Sequence, residues 1–248
     1  MLPPISVVIP AFNEAVRIGD TLAVTISYLE KESPTSEVIV INDGSTDSTG
    51  EVIRKVSTVP SSVAVRLREN FPNRGKGAAV RTGLLSATKP IGVFFDADLS
   101  TPIDELPKIV EPIARNEVDI AFGSRALNRK LIGNRQPWRR EQGGRLFNLV
   151  VRVATGLPFW DTQCGFKAFR MEACRPIFEA AKIIGFGFDV ELLLLAQRTG
   201  LRLREIPVRW NHHEGSKIRF VHDSVRMLRE ILSLRVNESV IPRQAEGP

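Results

Sequence analysis

The sequence predicts an α/β fold with a mostly parallel sheet and helices on both of its faces. Three observations predict it. Apolar runs that do not alternate with polar residues recur at Ile5–Ala11, Glu37–Ile41 (EVIVI), Ile91–Phe95 (IGVFF) and Val118–Phe122 (VDIAF), as expected of strands buried on both faces. Helix-like stretches separate them. A polar cluster closes each run: Asn13-Glu14, Asn42-Asp43, Asp96-Ala97-Asp98 and Ser124-Arg125. In parallel sheets ligands sit beyond the carboxyl ends of the strands, so these four clusters converge on one candidate site.

In chain order, Ile5–Ala11 is the first strand, Glu14–Lys31 a helix, and Glu37–Ile41 the second strand, followed by a polar turn. Thr49–Val56 reads as a helix, Ser62–Leu67 as the third strand and Gly77–Thr88 as a helix. Ile91–Phe95 is the fourth strand, Pro102–Asn116 a helix and Val118–Phe122 the fifth strand. Beyond it, Ala126–Pro137 is basic and polar, and Trp138–Thr155 fits an amphipathic helix. On that helix Leu146, Phe147, Val150, Val151 and Val153 are read as a core-facing stripe, with a membrane interface as the alternative. Asp161–Arg170 reads as extended, Phe188–Arg198 as an apolar helix, and Leu201–Trp210 as a strand that Pro207 assigns to a sheet edge. Val221, Val225, Leu228 and Leu232 mark one face of a terminal helix. The expected organisation is one domain over residues 1–236, with halves 1–125 and 126–236 and a tail at 237–248.

Composition narrows the class. The 248 residues are 43% hydrophobic and 25% charged, as in ordinary folded proteins. The net charge of +6 suits an anionic ligand or membrane surface and is too small to point to nucleic acid. Cys164 and Cys174 form neither a metal cluster nor a disulfide framework and read as reduced thiols. The first residues lack a signal-peptide pattern, and no apolar run reaches the roughly 18 residues of a spanning helix. The expectation is a cytoplasmic protein, soluble or peripheral on the cytoplasmic membrane face.

Asp96 and Asp98 carry the chemistry. Residues two apart in extended chain point the same way, so two carboxylates at a strand end can share one divalent cation. Mg²⁺ and Mn²⁺ prefer such oxygen ligands, shared with phosphates. Taken alone, the pair also reads as a solvated turn. Likewise Pro10 reads as a strand terminator, Asn13 as a helix cap, and Asp43-Gly44-Ser45 as an ordinary turn. Arg74-Gly75-Lys76-Gly77 lacks the spacing of a phosphate-binding loop, which excludes a kinase or ATPase.

The ordered set Val7-Val8-Ile9-Pro10-Ala11-Phe12-Asn13-Glu14, Val40-Ile41-Asn42-Asp43-Gly44-Ser45-Thr46-Asp47, Asn73-Arg74-Gly75-Lys76-Gly77 and Asp96-Ala97-Asp98 resembles the family-2 glycosyltransferases of GT-A, Rossmann-like fold. The resemblance implies that Pro10, Asn13 and Glu14 border the donor nucleotide, that Asp43 faces its base, and that Lys76 lies near the donor. Asp98 is then the principal metal ligand, with Asp96 near the ribose or metal. Asp161-Thr162-Gln163-Cys164-Gly165-Phe166-Lys167, Phe188-Asp189-Val190-Glu191-Leu192 and Glu214-Gly215-Ser216-Lys217 are similar to the dolichyl-phosphate β-glucosyltransferases and, less closely, the dolichyl-phosphate mannose synthases. The latter carry an arginine shortly before their Ser-Lys pair. Asn211-His212-His213-Glu214 has none, which favours UDP-glucose over GDP-mannose as donor. The implied partners are a nucleoside-diphosphate sugar, a polyprenyl or dolichyl phosphate, and a membrane surface or separate membrane partner; Mg²⁺ or Mn²⁺ is the implied cofactor.

A lipid monophosphate is largely dianionic at neutral pH and needs no strong base, so the protein must gather two anions. Between Ser124 and Arg145 stand seven basic residues and one acidic residue, Glu141. Arg125, Arg139, Arg140 and Arg145, with Ser216 and Lys217, are the candidate phosphate partners. A solvated basic loop is the plainer reading. Asp189, then Asp161, then Glu191 are candidates for a base, for orientation or for sugar contact. Transfer to a soluble hydroxyl, and a non-enzymatic sugar-nucleotide-binding protein, stay open.

Overall fold

The structure is a computed structural model; it describes residues 1–134, 138–212 and 226–231, with the backbone alone at 138–140. Strands stand at the four apolar runs, as β1 (Ile5–Ala11), β2 (Glu37–Asp43), β4 (Ile91–Phe95) and β5 (Ile120–Ser124), and at three further segments, β3 (Ala64–Asn70), β6 (Phe166–Arg170) and β7 (Leu203–Pro207). They form one sheet in the order β3-β2-β1-β4-β6-β5-β7. All neighbours run parallel except β6, which is antiparallel to both β4 and β5.

Alternation along each strand divides the core into two layers, because successive side chains leave opposite faces. Ile5, Val7 and Ile9 of β1 and Val38 and Val40 of β2 enter one layer; Val8, Ile39 and Ile41 enter the other. The first layer is closed by α1 (Ile18–Glu32), α2 (Thr49–Ser57) and α4 (Leu106–Ala114), through residues such as Leu22, Ile53 and Ile109. The second is closed by α3 (Lys76–Leu85), α5 (Trp138–Thr155), α6 (Met171–Ala180) and α7 (Phe188–Arg198). The helical residues 226–231 add Met227 and Ile231 to it.

Several boundaries differ from expectation for local reasons. α1 begins at Ile18, because the amides of Arg17 and Ile18 both donate to the Glu14 carbonyl and make 14–17 a turn. Pro102–Asn116 divides into a 3₁₀ turn at Ile103–Glu105 and the shorter α4. The third strand runs later than expected and is partly exposed, since β3 is an edge strand paired only with β2. β7 is the opposite edge, where Pro207 is tolerated without its N–H. Helix α6 was not expected, since the sequence reading assigns no element between Arg170 and Phe188; Met171, Cys174, Ile177 and Phe178 form its buried face, with Pro176 inside the helix. On α5 the expected core stripe splits. Phe147 and Val151 are buried, while Leu146, Leu149, Val150 and Val153 face outward. At 226–231 the buried residues are Met227 and Ile231, with Leu228 only partly covered. Val221, Val225, Leu232 and the tail lie outside the described residues.

The antiparallel β6 positions the site. Its first residue, Phe166, pairs with Phe95, the last of β4, so Gly165 lies against Asp96 at the carboxyl edge of the sheet. The 160–165 segment ahead of β6 is thereby delivered to the edge where β1, β2, β4 and β5 end. Among the described residues no helix is long and apolar enough to cross a membrane.

Candidate active site

The turn after β4 is tightly held. The Asp96 amide donates to the Gly165 carbonyl (3.3 Å), the Thr21 hydroxyl donates to the Ala97 carbonyl (2.6 Å), and Leu99 takes a positive φ of 47°. Asp98 Oδ1 accepts the Ser100 amide (2.9 Å), and no other hydrogen bond reaches this carboxylate among the described residues. Asp96 is paired instead, with Lys76 Nζ 2.6 Å from its Oδ1. Gly165 gives Asp96 its room here: a Cβ would stand 2.3 Å from Asp96 Oδ2, and the carboxylate would have to shift.

Lys76 owes its position to Asp43. The buried Asp43 carboxylate accepts the amides of Arg74 and Gly75 (2.8 Å to Gly75) and the Asn70 side chain (2.8 Å), folding 70–75 back on β2. The Ile184 carbonyl then takes the amides of Gly77 and Ala78 (2.9 and 3.3 Å), so the start of α3 offers no amide cradle at these two positions. Burial works against the charge of Lys76, but Asp96 and then Asp189 outweigh it and hold its ammonium above the usual lysine range.

Asp189, in the first turn of α7, is buried against Lys167 Nζ at 2.7 Å. Lys167 is itself wholly buried, donates to the Cys164 carbonyl (2.6 Å), and lies near the Phe94 and Phe122 rings. Burial pushes the Asp189 carboxyl up, although Lys167 and Lys76 pull it down. The sequence reading gives Lys167 no role of its own; it appears there only as the last residue of the Asp161–Lys167 motif. Glu191 accepts the amides of Lys182 and Ile183 (2.8 Å each), so it braces the loop that covers the start of α3.

At the ends of β1 and β2, Pro10 lies within β1 opposite Ile41 and does not end the strand. Asn13, at φ 53°, accepts the Thr46 amide (2.7 Å) and so ties the turns after β1 and β2 together; it does not cap α1. Glu14 pairs with Arg17 (2.7 Å).

On the other side, Arg125 grips Asp161 through two side-chain hydrogen bonds of 2.7 Å and a backbone one of 2.9 Å. Burial disfavours the Asp161 carboxylate, but Arg125 overrides it and holds the carboxyl below the usual range. Glu205 of β7 accepts the amides of Trp160 and Asp161 (2.9 and 2.7 Å), a bracing role that the sequence did not signal. Arg125 borders a cavity of about 570 Å³ that also takes in Arg129, Arg145, Arg152, Trp160 and Trp210. Arg129 is paired with Glu141, and the Arg152 guanidinium lies 3.9 Å from the Trp160 ring centre. Leu127, Ile132 and Leu149 supply apolar wall. His212 stacks on Trp210 at 6.0 Å. The side chains of Trp138, Arg139 and Arg140, together with His213, Ser216 and Lys217, lie outside the described residues. Cys164 is packed, with burial pushing its thiol up to about 12.

Two carboxylates beside a strand end, one with an oxygen unengaged by the turn, provide the hard oxygen donors that Mg²⁺ or Mn²⁺ takes, with diphosphate and water filling the remaining positions. Among the described residues no third acidic, histidine or cysteine ligand joins them, so the donor set suits a metal shared with substrate and not a closed protein cage.

Residues 6–178 match the family model for glycosyl transferase family 2. The chain belongs to that family. It is 33% identical over 243 residues to the dolichyl-phosphate β-glucosyltransferase of Dictyostelium discoideum, covering 93% of this chain and 73% of the relative. The human enzyme of that name is 35% identical over 245 residues, with 94% and 75% covered. Glycosyltransferase AglD of Haloferax volcanii is 34% identical over 96% of this chain, but only 38% of that relative is covered. Among solved structures, glucosyl-3-phosphoglycerate synthase from Mycobacterium tuberculosis with Mn²⁺, UDP-glucose and phosphoglyceric acid superposes with a TM-score of 0.70 at 22% identity, covering 97% of this chain and 81% of that one. The shared fold is GT-A.

Proposed function

We propose that this family-2 glycosyltransferase is a metal-dependent, inverting hexosyltransferase that moves glucose from UDP-glucose to a polyprenyl or dolichyl phosphate. The observation that carries the reading is the placement of Arg125. It follows β5 at the same carboxyl edge of the sheet as Asp96 and Asp98, and it borders an arginine- and tryptophan-lined cavity with apolar wall. A donor diphosphate on one side and a lipid phosphate on the other fit that arrangement. The names of the relatives agree with it.

In this reading residues 1–125 bind the donor and 126–236 the acceptor. Pro10, Asn13, Glu14 and Asp43 border the nucleoside, and Asp96 and Asp98 hold Mg²⁺ or Mn²⁺. When bound, the metal offsets the charge that develops on the departing diphosphate. Arg145, with Arg139, Arg140, Ser216 and Lys217, draws in the acceptor phosphate, while Arg125 stays locked to Asp161 and fixes the wall between the two sites. An acceptor oxygen attacks the anomeric carbon from the face opposite the diphosphate; the new C–O bond forms as the old one breaks, UDP leaves, and an α-linked donor gives a β-linked product. No proton has to be removed from a phosphate dianion. Asp189, neutralised by Lys167, serves to orient the sugar. The setting is the cytoplasmic face of a membrane, reached directly or through a membrane partner.

The test is radiolabelled UDP-glucose with Mg²⁺ or Mn²⁺, with and without polyprenyl phosphate. Label entering the organic phase only when lipid is present supports the reading. Label confined to a water-soluble product overturns it in favour of a hydroxyl acceptor, and equal transfer from GDP-mannose overturns the assignment of glucose.

A further inference from the structure

We propose that Lys76 is a displaceable internal cation: its ammonium occupies Asp96 until a nucleoside diphosphate arrives, so the divalent ion enters with the nucleotide and not ahead of it. The inference rests on the reading of Asp96 and Asp98 as the metal-holding pair.

Four features carry it. The Lys76 ammonium stands 2.6 Å from Asp96 Oδ1, a short charge-assisted contact. The other oxygen, Oδ2, fills the space that Gly165 leaves open, where an added Cβ would stand 2.3 Å from it, so the carboxylate sits between Gly165 and the ammonium. The backbone on either side of Lys76 is fixed by Asp43 at Gly75 (2.8 Å) and by the Ile184 carbonyl at Gly77 (2.9 Å), so only the side chain is left to move. Lys76 also feels the charge of Asp189 and Asp98, but Asp189 already has Lys167 at 2.7 Å and Asp98 is the other half of the metal-holding pair, so neither offers the ammonium a place that leaves that pair free.

A metal ion arriving alone must therefore evict an ammonium that has no equivalent anion to go to. A nucleoside diphosphate supplies one. Its oxygens accept the Lys76 ammonium, Asp96 is released, and the metal then gains both a carboxylate and phosphate ligands. Metal and nucleotide bind as a coupled pair, each tightening the other by the same factor.

Mn²⁺ binding followed by electron paramagnetic resonance without nucleotide tests this apart from catalysis. Lys76→Met should bind Mn²⁺ alone at least about 10-fold more tightly than wild type, and UDP should enhance its Mn²⁺ affinity less by a similar factor. The gain should persist in about 0.5 M KCl, where the Debye length falls to about 4 Å and long-range charge effects are screened. Lys76→Gln repeats the measurement if Lys76→Met does not fold. Equal Mn²⁺ affinity in variant and wild type, or a gain that vanishes in high salt, overturns the proposal. Asp98→Asn separates the two ideas. If it binds Mn²⁺ as wild type does, the metal-site reading fails and takes this proposal with it. If it loses Mn²⁺ while Lys76→Met matches wild type, the displaceable cation alone fails.

Discussion

Gly165 shows how much can depend on one missing methyl group. It is not in a turn that needs positive φ; what it provides is room, since any Cβ would meet all three terminal atoms of Asp96 within 2.8 Å. Gly165→Ala should push Asp96 from its place, cutting transfer by roughly 10²-fold, the scale on which displacements of about 1 Å act at catalytic sites. Steady-state kinetics beside an unchanged far-ultraviolet spectrum would check it. Lys167 is the complementary case. It is wholly buried, so Lys167→Met leaves Asp189 without its ion-pair partner and should cost about 3–5 kcal/mol by urea unfolding. The double variant Lys167→Met with Asp189→Leu should recover most of that loss, because an apolar pair in the same space carries no orphaned charge. Asp96 and Asp98 were legible as a pair from their spacing. The resemblance put Lys76 near the donor, but its pairing with Asp96, the place of Gly165 beside Asp96 and the pairing of Lys167 with Asp189 were not legible, because these partners come from segments distant in sequence.

Among elements, β5, β6 and β7 are tied at the end away from the site by Asp119, which takes two side-chain hydrogen bonds from Arg202 (2.9 and 3.0 Å) and one from Arg170 (3.1 Å). The bonds from Arg202 hold its carboxyl at about 2. A carboxyl lowered by folding stabilises the fold above its unfolded value and loses that contribution as pH falls through the folded one. The contribution should be full above about pH 5, decline below that and be gone by about 1, and it amounts to about 1–2 kcal/mol once screening of the partly exposed arginines is allowed for. Urea titrations of wild type and Asp119→Asn across that range should show their stability gap closing. Strand and helix positions were largely readable: β1, β4, α5 and α7 fall at their expected residues, because uninterrupted apolar runs and helical spacing are local signals. α6 had no expectation behind it, although its buried residues recur at helical spacing, and part of the expected core stripe of α5 faces outward because composition does not say which face meets the core.

At the scale of the molecule, the proposed reaction needs donor and acceptor anions held without obstructing each other, and in that reading the ion-paired Arg125 and Asp161 separate the two sites. In that arrangement a change on the cavity side should leave the donor untouched. Arg145→Ser should raise KM for polyprenyl phosphate about 10-fold, the loss of one charged contact worth about 1.4 kcal/mol, with KM for UDP-glucose unchanged. Equal increases in both would show that the two sites are not separable.

By itself the sequence determined the layered α/β plan, the strand ends that gather polar residues, and the family, because burial on two faces and short motif spacing are written in neighbouring residues. Tertiary structure alone decided that β6 runs antiparallel between β4 and β5, and so set Gly165 against Asp96, Lys167 against Asp189 and Asp161 against Arg125. The physical reason is that strand direction and neighbour are fixed by how the two core layers close over the whole sheet, a sum of long-range packing that no local stretch of chain contains.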